Sequence, residues 1–260
     1  MPLEYLVPES LDEAIQLLHQ HPGEITILSG GQVVINKLRT AQIMPDKLMD
    51  IGEIPELQQV EIGVDNIWLG GNVTHATLSR HSKLRSAIPG LVQMALAVGD
   101  QQIRNRATVG GTVANGDSLG DYWPLLLAVG GHIHLHSYTG KRQVAFNEWL
   151  QGRHKIVCNE GEIVVGIKIH HAPQSLFHKH VFSNLETLAI ACVSKESQLR
   201  VVVAGLTELP IVTTASGRFE IITNSIHEAL SNQSIGIHPY KIHMAHCIID
   251  DLLAQFEERR

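Results

Sequence analysis

The residues from Gly99 to Pro124 carry the densest set of groups able to hold a ligand. Here a glycine pair, Gly110 and Gly111, is followed by Thr112, Asn115, Asp117 and Ser118, and then by a lone carboxylate, Asp121. Paired glycines let a backbone approach a ligand closely, and successive N–H groups at a bend form a concavity for anions. The polar run offers donors and acceptors to a sugar or phosphate, and Asp121 can accept from a ribose hydroxyl. A single Gly-Gly pair is more often a tight turn than a site. A second pair alters that reading: Ser29-Gly30-Gly31-Gln32 directly follows the apolar run Ile25 to Leu28. Two strand-then-glycine loops are what a diphosphate gripped from both sides requires.

The remaining candidates are weaker. His132, His134 and His136 alternate with Ile133 and Leu135, so they share one face of a strand. Neighbours at i, i+2 lie about 7 Å apart, too far for one ion at bonds of about 2 Å unless another element closes in. The expectation is a solvated sheet face and no metal. Ser118 and His75 have no spacing that makes them a nucleophile–base pair, and no catalytic residue is assigned. Cys158, Cys192 and Cys247 are odd in number and lack a CxxC, which argues for a reducing compartment and against a zinc or iron–sulfur site.

The chain has 260 residues, 44% hydrophobic and 18% charged, with a formal charge of −6. This is a globular composition without a basic tract, so neither nucleic acid nor an anionic membrane is expected as partner. No apolar run approaches a membrane span and the N-terminus lacks a signal-peptide pattern, so the expected location is cytoplasmic.

The elements that must position the loops follow from periodicity. Ser10 to Glu13 forms a capping box, and Leu11, Ala14, Ile15 and Leu18 give an amphipathic helix ended at His21-Pro22-Gly23. Ile25 to Leu28 reads as a buried strand, Val33 to Leu38 as a helix start and Lys47 to Ile51 as a strand. A second block has Thr74 capping a helix and Leu91 to Val98 forming another, closed by Gly99. It continues through Ile103 to Thr108 into the central loop, then to a helix with Pro124 at its first position. His132 to His136 and Arg142 to Phe146 form a hairpin, with a linker after Asn147. Glu162 to Ile169, Phe177 to Phe182, Leu188 to Val193 and Leu199 to Gly205 read as a mostly antiparallel sheet, with an amphipathic helix from Pro239 to Glu257. The expected fold is α+β: two small α/β subdomains, 1–55 and 56–150, and a C-terminal α+β subdomain, 151–260.

With both loops placed, the chain resembles the FAD-binding medium subunit of the molybdenum hydroxylases, the family of xanthine and carbon monoxide dehydrogenases. Ser29-Gly30-Gly31-Gln32-Val33-Val34 is similar to that family's Ala-Gly-Gly-Thr-Asp-Leu. Gln102 to Asn115 is similar to Gln-Ile-Arg-Asn-x-Gly-Thr-Ile-Gly-Gly-Asn-Leu-Ala-Asn, and Asp121-Tyr122-Trp123-Pro124 to Asp-Leu-x-Pro. The resemblance implies noncovalent FAD in a PCMH-type domain formed by the first two subdomains, with a carbon monoxide dehydrogenase flavoprotein C-terminal-like unit after it. It puts the diphosphate against the N–H groups of Gly30, Gly31, Gln32, Val33 and Val34, beside Ser29, and of Gly110, Gly111 and Thr112. It has Thr108, Ala114 and Asn115 lining the cofactor, Asp121 at the ribose or adenosine end, and Val164 and Lys179 near the flavin. A lysine at the pyrimidine edge stabilises an anionic reduced flavin and raises its potential.

The implied partners are a molybdopterin-containing large subunit, a 2Fe–2S small subunit and NAD+ or another acceptor. The sequence departs from the family pattern at Gln32-Val33, at Ser183 and Thr187, where relatives carry an arginine and an acid, and after Pro210. The alternatives are a self-contained flavin reductase or oxidase, and an assembly subunit that has lost FAD.

Overall fold

The computed structural model describes residues 3–182, 186–195, 198–216, 219–233 and 236–258. Ser183, one of the departures above, lies outside them.

The N-terminal unit is a three-stranded parallel sheet in the order β1-β3-β2, from β1 (Glu4–Leu6), β2 (Ile25–Leu28) and β3 (Lys47–Asp50). Helix α1 (Leu11–Gln20) buries Ala14, Ile15 and Leu18 against Met49 and Ile51. The Ser10 side chain accepts from the Glu13 N–H at 3.2 Å, but the Glu13 carboxylate reaches the N–H of Glu9 rather than of Ser10, so the box closes one residue early. In β2 only Leu28 is buried, a correction to the fully buried strand. Helix α2 (Val34–Arg39) follows the first glycine loop.

The second unit is a five-stranded antiparallel sheet ordered β4-β5-β10-β6-β7: β4 (Val60–Ile62), β5 (Asn66–Gly70), β6 (Gly131–Ser137), β7 (Gly140–Ala145) and β10 (Ile163–His170). Strand β10 therefore sits at the centre of this sheet, not in the C-terminal one. A bulge between Val164 and Gly166 lets Ile163 join the N-terminal core while Ile167 and Ile169 point into the main one. Arg142 on β7 grips Glu162 with two bonds, 2.5 and 2.7 Å, fastening the hairpin to the start of β10.

Helices α3 (His75–Arg80), α4 (Ser82–Ala87), α5 (Pro89–Ala97), α6 (Gln101–Arg106), α7 (Val109–Asn115) and α8 (Tyr122–Val129) gather on the inner side of this sheet. Where a linker was expected, α9 (Phe146–Trp149), β8 (Leu150–Gly152) and β9 (Lys155–Ile156) form ordered structure, and the Trp149 indole N–H donates to the Val113 carbonyl of α7 at 3.0 Å.

The C-terminal sheet is antiparallel in the order β11-β12-β13-β14: β11 (Ser175–Val181), β12 (Thr187–Lys195), β13 (Gln198–Ala204) and β14 (Ile211–Ser216). It is covered on both faces. Phe177, Ala189, Ala191, Val193 and Val202 meet the main core, while Leu176, Leu188, Ile190, Cys192, Val201 and Val203 meet the two closing helices, α10 (Phe219–Gln233) and α11 (Pro239–Glu258). Burial on both faces is why β12 reads as an unbroken apolar run.

The histidines of β6 alternate with buried Ile133 and Leu135 as expected, but their face is half-covered rather than solvated. His19 of α1 stacks on Tyr138 at 3.7 Å, and Trp68 meets His134 edge-on at 5.1 Å. Among the described residues no three His, Cys, Asp or Glu converge on a metal position, and no helix is long and apolar enough to cross a membrane.

Candidate functional site

The two glycine stretches, about eighty residues apart in sequence, meet along one seam, or crevice, between the first two units. The Ser29 hydroxyl stands 2.9 Å from the Thr108 hydroxyl and donates to Asn72 Oδ1 at 2.6 Å. Gly30 presses so close to the end of α6 that a Cβ built on it would lie 1.9 Å from the Arg106 carbonyl oxygen. Gly31 follows in the left-handed region at φ +78°, which turns the chain into α2. Among the described residues, the N–H groups of Gly30, Gly31, Gln32, Val33 and Val34 have no acceptor within the protein. Five successive free donors at a bend form an anion cradle. Gln32 also holds α2 in place, its carbonyl accepting from the Asn36 amide at 2.7 Å.

The second stretch is not a loop, which corrects the expectation. Thr108 is an N-cap, and Gly110 and Gly111 belong to the first turn of α7. Their N–H groups are already taken: Gly110 donates to the Gly71 carbonyl at 2.8 Å, Gly111 to Thr108 Oγ1 at 3.1 Å and Thr112 to the Thr108 carbonyl at 3.0 Å. The second set of open donors is therefore absent. What the glycines provide is proximity, since a Cβ on Gly110 would lie 2.8 Å from the Gly71 oxygen and one on Gly71 would lie 2.5 Å from the Val164 oxygen. Gly110, Gly71 and the Val164 backbone thus stack into the rear wall of the crevice. Gly111 and Ala114 are exposed on α7, and Thr112 and Asn115 are half-buried there.

Asp121 and Lys179, which the resemblance puts at the ribose or adenosine end and near the flavin, come together as an ion pair. Lys179 Nζ lies 2.7 Å from Asp121 Oδ2 and also donates to the Ala97 carbonyl at 3.3 Å. Burial pushes the Asp121 carboxyl up, against the pull of the lysine. Pro124 occupies the third position of α8, whose first residue is Tyr122.

Sequence reasoning gave no role to Gly71 or Asn72, and it weighed His75 only as a partner for Ser118. Their signal was a third glycine pair, Gly70-Gly71, followed by Asn72 and the helix cap Thr74. Asn72 is buried and bridges the first two units, taking Ser29 on one side and donating to the Ile51 carbonyl on the other. Arg104 is spent on structure: its guanidinium donates to the carbonyls of Leu96, Val98 and Gly99, closing the C-terminus of α5. Ser118 and His75 do not pair, since Ser118 donates to the Glu208 carbonyl and His75 contacts Tyr122 and Thr112.

Residues 1–172 match the family described as FAD binding domain in molybdopterin dehydrogenase. The chain belongs to this family. It is 30% identical over 166 residues to the carbon monoxide dehydrogenase medium chain of Hydrogenophaga pseudoflava, a match covering 64% of this chain and 58% of that protein. It is 27% identical over 212 residues to the nicotine 6-hydroxylase medium subunit of Paenarthrobacter nicotinovorans, covering 78% and 74%. The sequence match thus spans little more than half the length of the first of these relatives. Over the whole fold, the chain is similar to a solved chain of quinoline 2-oxidoreductase from Pseudomonas putida 86, with TM-score 0.85, 19% identity and coverage of 99% and 98%. Carbon monoxide dehydrogenase from Hydrogenophaga pseudoflava gives TM-score 0.84, 22% identity and the same coverage.

The cofactor of this family of domains is FAD, and the crevice fits it. A dianionic diphosphate is what five unpaired N–H groups would bind, and Gly30 leaves no side chain between them and α6. Gln32 and Val33, in place of a threonine and an aspartate, leave those backbone donors intact. Gly111→Asp tests the opposite wall: its Cβ would lie 2.9 Å from Thr108 Oγ1, placing a carboxylate on the exposed side of α7. The expected result is at least about a tenfold fall in FAD per protein after gel filtration, from charge repulsion. Full flavin content in the variant would remove α7 from the site.

Proposed function

We propose that this chain is the FAD-binding, electron-transferring subunit of a multi-subunit molybdopterin hydroxylase or dehydrogenase. Its partners in this reading are a molybdopterin-containing large subunit, where substrate is oxidised, and a 2Fe–2S small subunit. Noncovalent FAD, when bound, would supply the redox chemistry between the cluster-bearing partner and NAD+ or another acceptor.

The observation that carries the reading is the row of free donors from Gly30 to Val34, held open against α6 and α7. The chain's own residues bind and shape. Ser29, Thr108 and Asn72 lock the two walls together, and Gly71, Gly110 and Val164 make the rear wall thin and rigid. Lys179 brings the C-terminal sheet against the end of α5 and the start of α8. The medium-chain and medium-subunit names of the relatives above support a role inside a larger assembly.

Purified protein is expected to be yellow and to release FAD on denaturation. Affinity purification from the native host is expected to bring down a larger chain containing molybdopterin and a smaller one with 2Fe–2S cysteines. Colourless protein indifferent to added FAD would instead mark an assembly subunit, and turnover of an organic substrate by the isolated chain would mark a self-contained flavoenzyme.

A further inference from the structure

A deeply buried imidazole next to α7 is left unused by the proposed function. His75, 1% exposed, begins α3, and both of its ring nitrogens are engaged. The Tyr122 hydroxyl lies 2.5 Å from Nδ1, and Thr112 Oγ1 lies 3.2 Å from Nε2.

The direction of this chain follows from what each group can do. Tyr122 is fully buried, and His75 is the partner of its hydroxyl among the described residues. A phenol that only accepted there would leave its own proton unpaired in an apolar core, so it donates to Nδ1. Burial, with the positive charge of Arg104, pushes His75 down to about 4, which keeps the ring neutral. A neutral imidazole that accepts at Nδ1 carries its hydrogen on Nε2, and therefore donates to Thr112 Oγ1. Thr112 is half-buried, with its backbone N–H taken by the Thr108 carbonyl. Having accepted from His75, its hydroxyl keeps one proton to give away.

We infer that His75 is a positioning residue: through Tyr122 and Thr112 it aims a hydroxyl proton at an acceptor oxygen of the bound FAD. The inference rests on the FAD reading above. A buried Tyr–His pair is expensive relative to apolar side chains of the same size, and a directed donor at the cofactor wall gives that pair a use.

The test is FAD affinity of the full chain, measured by flavin fluorescence on apoprotein, with melting temperature followed in parallel. Thr112→Val is expected to weaken binding about tenfold or more, and Thr112→Ser to restore it. Tyr122→Phe frees Nδ1, lets the tautomers mix, and is expected to weaken binding by a smaller factor. His75→Phe is expected to weaken it as much as Thr112→Val, with the double variant no worse than either alone, as two members of one chain require.

Additive effects, or folded single variants within twofold of wild type, would overturn the relay. So would ring nitrogen shifts showing His75 protonated at Nδ1, a readout that stands even where a substitution destabilises the fold. Wild-type protein without FAD affinity sinks the cofactor reading itself, whereas wild-type affinity with unaffected variants sinks only the relay.

Discussion

Gly30→Ala is expected to strip FAD from the protein while leaving its sheets folded. The added methyl would sit 1.9 Å from the Arg106 carbonyl oxygen, 2.8 Å from its carbon and 3.0 Å from the Ala107 Cα. All three atoms are backbone, so no rotamer change relieves the clash and the loop must retreat from α6. Such overpacking costs about 1–3 kcal/mol. The retreat also breaks the Ser29 contacts to Thr108 and Asn72, at about 1 kcal/mol each. The larger effect falls on the ligand. Displacing the donors of Gly30 to Val34 loses two or more charge-assisted bonds of about 1.5–3 kcal/mol each, a weakening of about a hundredfold or more. The flavin-to-protein ratio after desalting, read beside the melting temperature, checks both effects. A variant that keeps its flavin would show that the free N–H row is not the diphosphate site.

How much of this was legible in the sequence depends on whether the deciding contacts were local. Helix α1 announced itself, because its cap and its apolar stripe lie within ten residues. The first glycine loop was also readable, since a strand, a left-handed Gly31 and a helix start follow one another directly. Gly110-Gly111 misled because a glycine pair normally breaks a helix. Here Thr108 caps the turn and close packing on Gly71 requires the missing side chains, and that contact spans about forty residues.

Helix α6 escaped for a different reason, its lack of an apolar stripe. Six residues long, it is held by the Asp100 cap at one end and by the bonds of Arg104 to the carbonyls of Leu96, Val98 and Gly99. Strand β10 was recognised as a strand but assigned to the wrong sheet, because strand order is a nonlocal property that composition does not encode. The Asp121–Lys179 pair was invisible as a pair, its members being 58 residues apart and on different units.

That pair carries the second large effect. Lys179→Met is expected to cost about 3–5 kcal/mol near neutral pH, because it leaves a buried carboxylate without its counter-ion. The side chains of Lys179 and Asp121 are only 18% and 12% exposed, so solvent compensates little. The loss also uncovers the Ala97 carbonyl and removes one of the ties between β11 and α5. The pH dependence identifies the cause. Burial already holds the Asp121 carboxyl above its ordinary value, and the lysine is what pulls it back down, so removing the lysine raises it further. An acid whose folded pKa exceeds its unfolded one binds more protons when folded, so it favours folding at low pH and stability falls as pH rises through that window. The deficit of the variant is therefore expected to be largest near about pH 8 and to shrink towards about pH 5, as the carboxyl takes up its proton. Urea unfolding at the two pH values measures it, and Asp121→Asn in the same chain should recover most of the lost stability by removing the stranded charge. An equal deficit at both pH values would mean that lost packing of the lysine stem, not an unpaired carboxylate, ties the C-terminal sheet to the crevice.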